Sequence, residues 1–474
     1  MRMGKCYVML LFVILVCAVL SACTPGDGPE DDQQGAKEGF REMNSQEFIF
    51  RGSFINPDPR DYTDEEAAEA ARAEVETVSL EQEAMLEACA VVEENTNCRI
   101  VRKQFDEGFT SSSFAAAYAA GQSPTDFFYG EIRFARELYV SGYIQPITDI
   151  EAIDNTDYEK WGNAEKQMAT SYKGTLFGLP CVGSNYYPYP YYYYGILVCK
   201  NDVYESFGLD STPQEMIENK KWTFSNFADL LPNLYDDSGT ENDKVWAFAH
   251  SGLPMCAVYA NGGNKVVKEK GEYVFGYTQP AALRALEWAK SIYGLTDCAK
   301  ESDEKALSDF YDGKIVFLMT NGYRMFGDIT YNTSNFSWLP FPYGPDVEYG
   351  STCASYTTAQ DGIISIMKGQ DAQKVQDTGY IVNLLFDATP HFGKDGYQNY
   401  LYRSFFDSGD ESSFEVYLDM GRNMHYDYSL ELGSVNDEII SRISAAMKSS
   451  GSVSNVMEGI KDAVNDKLDE ELND

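Results

Sequence analysis

The sequence predicts an α/β protein built on open sheets flanked by helices, with a purely helical C-terminal region. Three observations predict it. Short apolar runs alternate with stretches of helical periodicity from Glu47 onward. The C-terminal region carries amphipathic stripes without a strand-like run. Over 474 residues, 44% hydrophobic and 23% charged side chains suffice for a substantial core, which excludes wholesale disorder.

Phe48-Ile49-Phe50 reads as the first strand, and an Ala- and Glu-rich helix follows over roughly Asp64 to Glu94, where Met85, Cys89 and Val92 recur at i, i+4 and i+7. A strand near Arg99–Phe105 precedes a helix through Ala115–Ala120, which Pro124 ends. Asp126-Phe127-Phe128-Tyr129 reads as a buried strand, as do Gly195–Cys199 and Ile315–Met319. Strand–helix–strand order of this kind makes an open sheet that takes ligands at the carboxyl ends of its strands. At the C-terminus, Ile439, Ile440, Ile443 and Met447 form one stripe, with Asn436 as its expected cap. After Ser449-Ser450-Gly451 a second stripe runs Val453, Val456, Met457, Ile460, Val464, Leu468, Leu472. No internal repeat is present, which disfavours solenoids and propellers.

Residues 1–22 read as an export signal. Arg2 and Lys5 precede an unbroken apolar run from Tyr7 to Leu20, and small residues follow in Ser21-Ala22-Cys23. The run spans about 21 Å as a helix, too short for a permanent membrane span. Its ending resembles the bacterial lipoprotein signal, which implies lipid on Cys23. Residues 23–45 have the solvated composition of a flexible tether. Two acyl chains on such a leash would hold the body beside a membrane without inserting it.

Acidic residues outnumber basic ones 74 to 37. Loss of Arg2 and Lys5 with the signal leaves 35 bases against 74 acids, a balance of −39. Such a field repels phosphate backbones, so a nucleic-acid partner is excluded, and phosphorylated solutes are disfavoured without a local basic cluster. His250, His391 and His425 are too scattered for a zinc site. Seven cysteines remain beyond Cys23: Cys89, Cys98, Cys181, Cys199, Cys256, Cys298 and Cys353. The number is odd, so at least one thiol is free or pairs between molecules. Cys89 and Cys98 either close a short loop or stay as buried apolar thiols.

Phosphate-loop, nucleophile-elbow and zinc-helix motifs are all absent, as is calcium-loop spacing. With 74 acids, any pair of carboxylates suggestive of glycoside hydrolysis carries no weight. No cofactor is expected, and binding is the better starting position than turnover. The informative feature is aromatic. Tyr186-Tyr187-Pro188-Tyr189-Pro190-Tyr191-Tyr192-Tyr193-Tyr194 leads into the strand at Gly195. In extended chain Tyr191 and Tyr193 share one face, Tyr192 and Tyr194 the other. A tyrosine offers a flat apolar face and a hydroxyl, which suits a sugar's C–H faces and rim hydroxyls.

An ordered series of short motifs then resembles the extracellular solute-binding proteins of ABC importers, in the large carbohydrate-binding group (family 1). Asp126-Phe127-Phe128-Tyr129 followed by Leu138, Gly142, Tyr143-Ile144 and Pro146-Ile147-Thr148-Asp149 is similar to that family's early strand and helix segment. Gly178-Leu179-Pro180, Leu197–Tyr204 and Trp222-Thr223-Phe224 continue the order, as do Asn261-Gly262-Gly263, Met319-Thr320-Asn321-Gly322 and Leu339-Pro340-Phe341-Pro342. Lys200-Asn201 reverses the family's usual pair, and Cys199 replaces its usual Tyr.

The resemblance implies a periplasmic-binding-protein-like fold of two hinged lobes that close on a solute. Lobe 1 is expected over 46–198 plus about 355–390, and lobe 2 over 199–354 plus about 391–474. It implies solute contacts at Tyr129, Glu131 and Arg133, at Tyr191 and Tyr193, at Asn261, and at Tyr323 or Arg324. Trp222 is expected as a structural anchor, and Trp246, Trp288 and Trp338 as packing. The implied function is a lipid-anchored extracytoplasmic receptor that hands a sugar or oligosaccharide to ABC permease subunits. A receptor for polyamines or other cationic solutes and a surface adhesin or glycosidase are the alternatives.

Overall fold

Phe48 and Phe50, two residues apart on the strand Glu47–Gly52 (β1), are both fully buried with half-buried Ile49 between them, so a single face of that strand carries its aromatic weight. The computed structural model describes residues 35–473 except 53–59, 61–79, 105–109, 121–123, 163, 181–193, 239–242, 303, 326–328, 330, 331, 358–361, 370 and 386–410. The expected signal peptide with Cys23, most of the tether, Cys181 and the tyrosine run through Tyr193 lie outside the described residues. So do 64–79 of the expected first helix, which is described over Leu80–Thr96.

The first sheet has four strands, in the spatial order Gly362–Ile366, Phe127–Glu131, β1, Arg99–Gln104. Strands β1, β2 (Arg99–Gln104) and β3 (Phe127–Glu131) are parallel, and β14 (Gly362–Ile366) runs antiparallel to β3. Phe50 stacks on Phe127, ring centroids 4.5 Å apart. Asp126 ties the sheet together: its carboxylate accepts the Ile49 N–H at 2.7 Å and pairs with Lys374 at 2.8 Å, from the helix Ala372–Leu385. A small hairpin, β4 (Ser171–Tyr172) and β5 (Thr175–Leu176), leads to Leu179, which bridges to Ile364 of β14.

The second sheet has seven strands. Its path runs β10 (Ala299–Glu301), β7 (Trp246–His250), β11 (Ile315–Asn321), β6 (Tyr194–Lys200), β13 (Tyr356–Thr357), β15 (His425–Tyr426), and β12 (Phe336–Leu339) also pairs with β6. Strand β6 therefore belongs to this sheet, although the expected boundary at 198 put most of it in the first lobe. A run of apolar residues shows that a strand is buried but not which ladder it joins, and here Phe317–Asn321 supplies the partner. A further hairpin, β8 (Val266–Glu269) with β9 (Glu272–Phe275), lies against the C-terminal helices.

Trp222 is buried as expected of an anchor, its indole N–H donating to Pro340 O at 2.7 Å. Trp338 is also buried, and Trp288 stacks on Phe224 at 3.9 Å. The C-terminal helices follow the predicted stripes with two differences. Ile440 is exposed, since a residue next to Ile439 sits about 100° further round the helix and leaves the stripe. Asn436 does not cap: the helix Ser434–Met447 starts after Gly433 without a side-chain cap. Its Oδ1 instead accepts from the fully buried ammonium of Lys265 at 2.7 Å, because a buried cation needs that oxygen more than an exposed helix end does.

The described cysteines, Cys89, Cys98, Cys199, Cys256, Cys298 and Cys353, are all buried, and no disulfide joins any two of them. Among the described residues no helix is long and apolar enough to cross a membrane, and no cluster of metal-ligating side chains occurs.

Candidate solute site between the two sheets

Strands β1, β2 and β3 end at Gly52, Gln104 and Glu131, which defines one edge of the first sheet. Strand β14 starts at that edge, since Gly362 pairs with Glu131. In the second sheet β7, β10 and β11 end together at His250, Glu301 and Asn321. Strand β6 enters at the same end, with Tyr194 opposite Asn321 and Tyr356 of β13 on its other side. Six residue steps separate Tyr356 from Gly362, a reach of at most about 20 Å. The carboxyl-end edges of both sheets therefore lie within about 20 Å of each other at these two residues, and it is at such edges that open α/β sheets take their ligands.

The first wall is built on β3 and the helix Ile132–Val140 that follows it directly. Tyr129 lies in β3, 8% exposed, its ring across Gly362, where a Cβ would overlap the phenol. Tyr129 is thus part of the first-lobe core at the site's edge. Glu131 and Arg133 are exposed and paired at 3.0 Å. A groove of about 580 Å³ opens beside them, bordered by Ser111, Ser112, Arg133 and Arg136 of the first lobe and by Leu430 of the second. Thr110 caps the helix Ser111–Ala119 at this point, with its hydroxyl accepting the Ser113 N–H.

The second wall is aromatic. Tyr194 stacks on Tyr356 with centroids 5.1 Å apart and planes at 13°. Behind it Tyr259 lies 5.5 Å from Tyr356 and stacks on His425 at 4.6 Å. Gly195 makes the approach possible: its φ is +83°, and a Cβ there would sit 2.8 Å from Ala354 O. Burial raises the Tyr356 hydroxyl well above the usual phenol range, so it stays protonated and able to donate. The short turn Gly322–Arg324 follows β11, capped by Asn321 whose Oδ1 accepts the Arg324 N–H at 3.0 Å. Arg324 is exposed there; the side chain of Tyr323 lies outside the described residues, as do Tyr191 and Tyr193.

Asn261 departs from expectation. It ends the helix Leu253–Ala260 and is fully buried. Its amide donates to Ala281 O at 2.8 Å and Asp346 Oδ2 at 2.6 Å, and its Oδ1 accepts the Asp346 N–H at 2.9 Å. Gly262 N–H returns to Tyr259 O and Gly263 N–H to Val258 O, which is a Schellman turn. The Asn-Gly-Gly motif is a helix stop, not a cleft wall.

Sequence reasoning missed Tyr194 as a wall residue, together with Tyr356, His425 and the Ser111–Ser112 helix start. Tyr194 was visible in the tyrosine run; the others carried no local signal.

Two open sheets whose carboxyl-end edges lie close together are the framework of a two-lobed binding protein. The chain belongs to the bacterial extracellular solute-binding protein family, whose profile matches residues 81–375. Its fold is similar to that of the cyclic α-maltosyl-1,6-maltose binding protein of Arthrobacter globiformis, with a TM-score of 0.60 and 11% identity over 90% of this chain and 99% of that one. It is similar to the sugar-binding protein MalE of Xanthomonas citri at a TM-score of 0.57 and 13% identity, over 90% and 98% of the two chains. The GacH receptor of Streptomyces glaucescens, solved unliganded and with acarbose, aligns at 0.53 and 12% identity over 89% and 98%. At these identities the likeness is one of fold.

Proposed function

We propose that this solute-binding protein captures a sugar or oligosaccharide between its lobes and delivers it to the permease of an ABC importer. In this reading it works as a receptor without turnover, held outside the membrane by lipid on Cys23.

The observation that carries the proposal is the unlike character of the two walls. One presents the partly exposed ring of Tyr194, backed by the buried ring of Tyr356; the other presents hydroxyls and a paired charge, Ser111, Ser112, Glu131 and Arg133. A neutral sugar leaves water only if its hydroxyls are matched and its C–H faces are covered, and each wall supplies one of these. The saccharide ligands named for the fold's neighbours support the same class. Tyr191 and Tyr193, just before Tyr194 in the sequence, and Tyr323 or Arg324, just after β11, belong to the proposed contact set, with Tyr129 supporting the first wall from beneath.

Thermal-shift screening of the protein against mono- and oligosaccharides tests the proposal, with spermidine and glycerol phosphate as the cationic and anionic controls. A ligand at a hundred times its Kd adds about 2.7 kcal/mol to stability. A rise confined to saccharides is expected. A rise with spermidine alone would transfer the site to cationic solutes, and glycan cleavage would make it an enzyme.

A further inference from the structure

Arg136 leaves its own lobe. It sits on the helix Ile132–Val140, one turn past the Glu131–Arg133 pair, and its guanidinium is only 12% exposed. One terminal nitrogen donates to Glu431 Oε1 at 3.0 Å, the other to Glu471 Oε2 at 2.9 Å. Glu431 follows β15 of the second sheet, and Glu471 ends the C-terminal helices that pack against that lobe.

We propose that Arg136 is a bolt between the lobes, which fastens the closed arrangement and is withdrawn when they part. Three features support it. The bolt is positioned on its own side, since the guanidinium carbon lies 4.7 Å from the ring centroid of Tyr172 in β4. The receiving side is divided: Glu431 gives its other oxygen to the Tyr426 hydroxyl at 3.0 Å, and Glu471 gives its other oxygen to Lys467 at 2.9 Å. Each carboxylate thus reserves one oxygen for its own lobe and one for Arg136. Finally, the contact lies on the carboxyl-end side of β3, where closing shortens interlobe distances and opening lengthens them.

The burial sets the character of the device. Glu431 is 3% exposed, so losing Arg136 without hydration would strand a buried carboxylate. The pair can part only if water enters both faces, which makes the joint two-state instead of gradually deformable. Because desolvation offsets most of the attraction, the bolt specifies one lobe arrangement more than it adds stability.

Pulsed electron spin resonance between labels at Tyr158→Cys and Ile440→Cys tests the bolt. Both positions are exposed, one on each lobe, while the described native thiols are buried. The measurement needs no solute, so its outcome is independent of the sugar reading. Arg136→Met is expected to move the distance distribution to longer, broader values. Glu471→Gln, which leaves the Glu431 contact, moves it part of the way. If Arg136→Met loses cooperative unfolding, Arg136→Lys carries the test, because its single ammonium cannot span both acceptors and a shift is again expected. Distributions that superimpose on the parent in cooperatively unfolding variants would overturn the proposal.

Discussion

Tyr194 and Tyr356 stack at 5.1 Å although they lie on different strands of the second sheet, one of them at the point where the chain is about to cross to the first. The β6–β13 pairing holds the partly exposed Tyr194 over the buried Tyr356, so the outer ring loses little freedom when a ligand arrives. Removing the partly exposed ring should therefore affect ligand more than fold. Tyr194→Ala is expected to weaken the tightest-binding saccharide roughly tenfold, about 1.4 kcal/mol. Isothermal titration reads the affinity and a melting curve the stability; a large loss of melting temperature with unchanged affinity would assign the ring to packing.

Asn261 and Asp346 make the opposite case. Asn261→Ala leaves the Asp346 N–H without its partner inside the protein and removes the donor that reaches Ala281 O from outside its helix. Each unmet buried group costs about 1–3 kcal/mol. Asp346 also holds Arg284 at 2.5 Å, so the loop before β13 loosens with it. The expected outcome is a clear drop in urea midpoint with saccharide affinity changed less than about twofold, the signature of a positioning residue.

How far the sequence reaches is visible in these same residues. The strands of the first sheet were legible because Phe48, Phe50 and Phe127 repeat with strand spacing, and the turn at Asn-Gly-Gly because glycine supplies the positive φ of 73° at Gly262. Pairing was not legible. Strand β6 is equally apolar whichever sheet it joins, and only the ladder with β11 places it. The Arg136 contacts reach across 295 and 335 residues, a separation at which charge patterning along the chain carries no information. Asn436 shows the same limit: its cap-like position was readable, its buried partner Lys265 was not.

Cys89 and Cys98 are separate buried thiols in a chain whose beginning reads as an export signal. Burial pushes Cys89 up to about 12 and Cys98 up to about 11. At pH 8 the thiolate fraction is then on the order of one in a thousand to one in ten thousand, which suppresses both exchange and oxidation. Neither cysteine should react with Ellman's reagent in the native protein, and both should react at once in guanidinium. Peptide mapping under non-reducing conditions that recovered a Cys89–Cys98 linked peptide would contradict this.

His250 should contribute to the loss of stability on the acid side. Its ring is 2% exposed at the end of β7, 4.6 Å from Tyr293, and its Nδ1 has no hydrogen-bond partner among the described residues. Burial lowers its pKa to about 4, against a modest opposing pull from Glu301, whose charge is itself engaged by Lys448 at 2.7 Å. The unfolded chain, with an ordinary imidazole near 6.5, binds more protons than the folded one between these values. Stability therefore falls as pH drops through about 6.5 towards about 4, and the loss levels off below the folded value. The span corresponds to about 3 kcal/mol at this one site. His250→Phe keeps the ring beside Tyr293 without a titrating nitrogen. The difference in unfolding free energy between parent and variant, measured by urea titration from pH 7 to pH 4, should shift in favour of the variant by that amount as the pH falls. A difference independent of pH would mean that the imidazole is hydrated in solution and carries no such penalty.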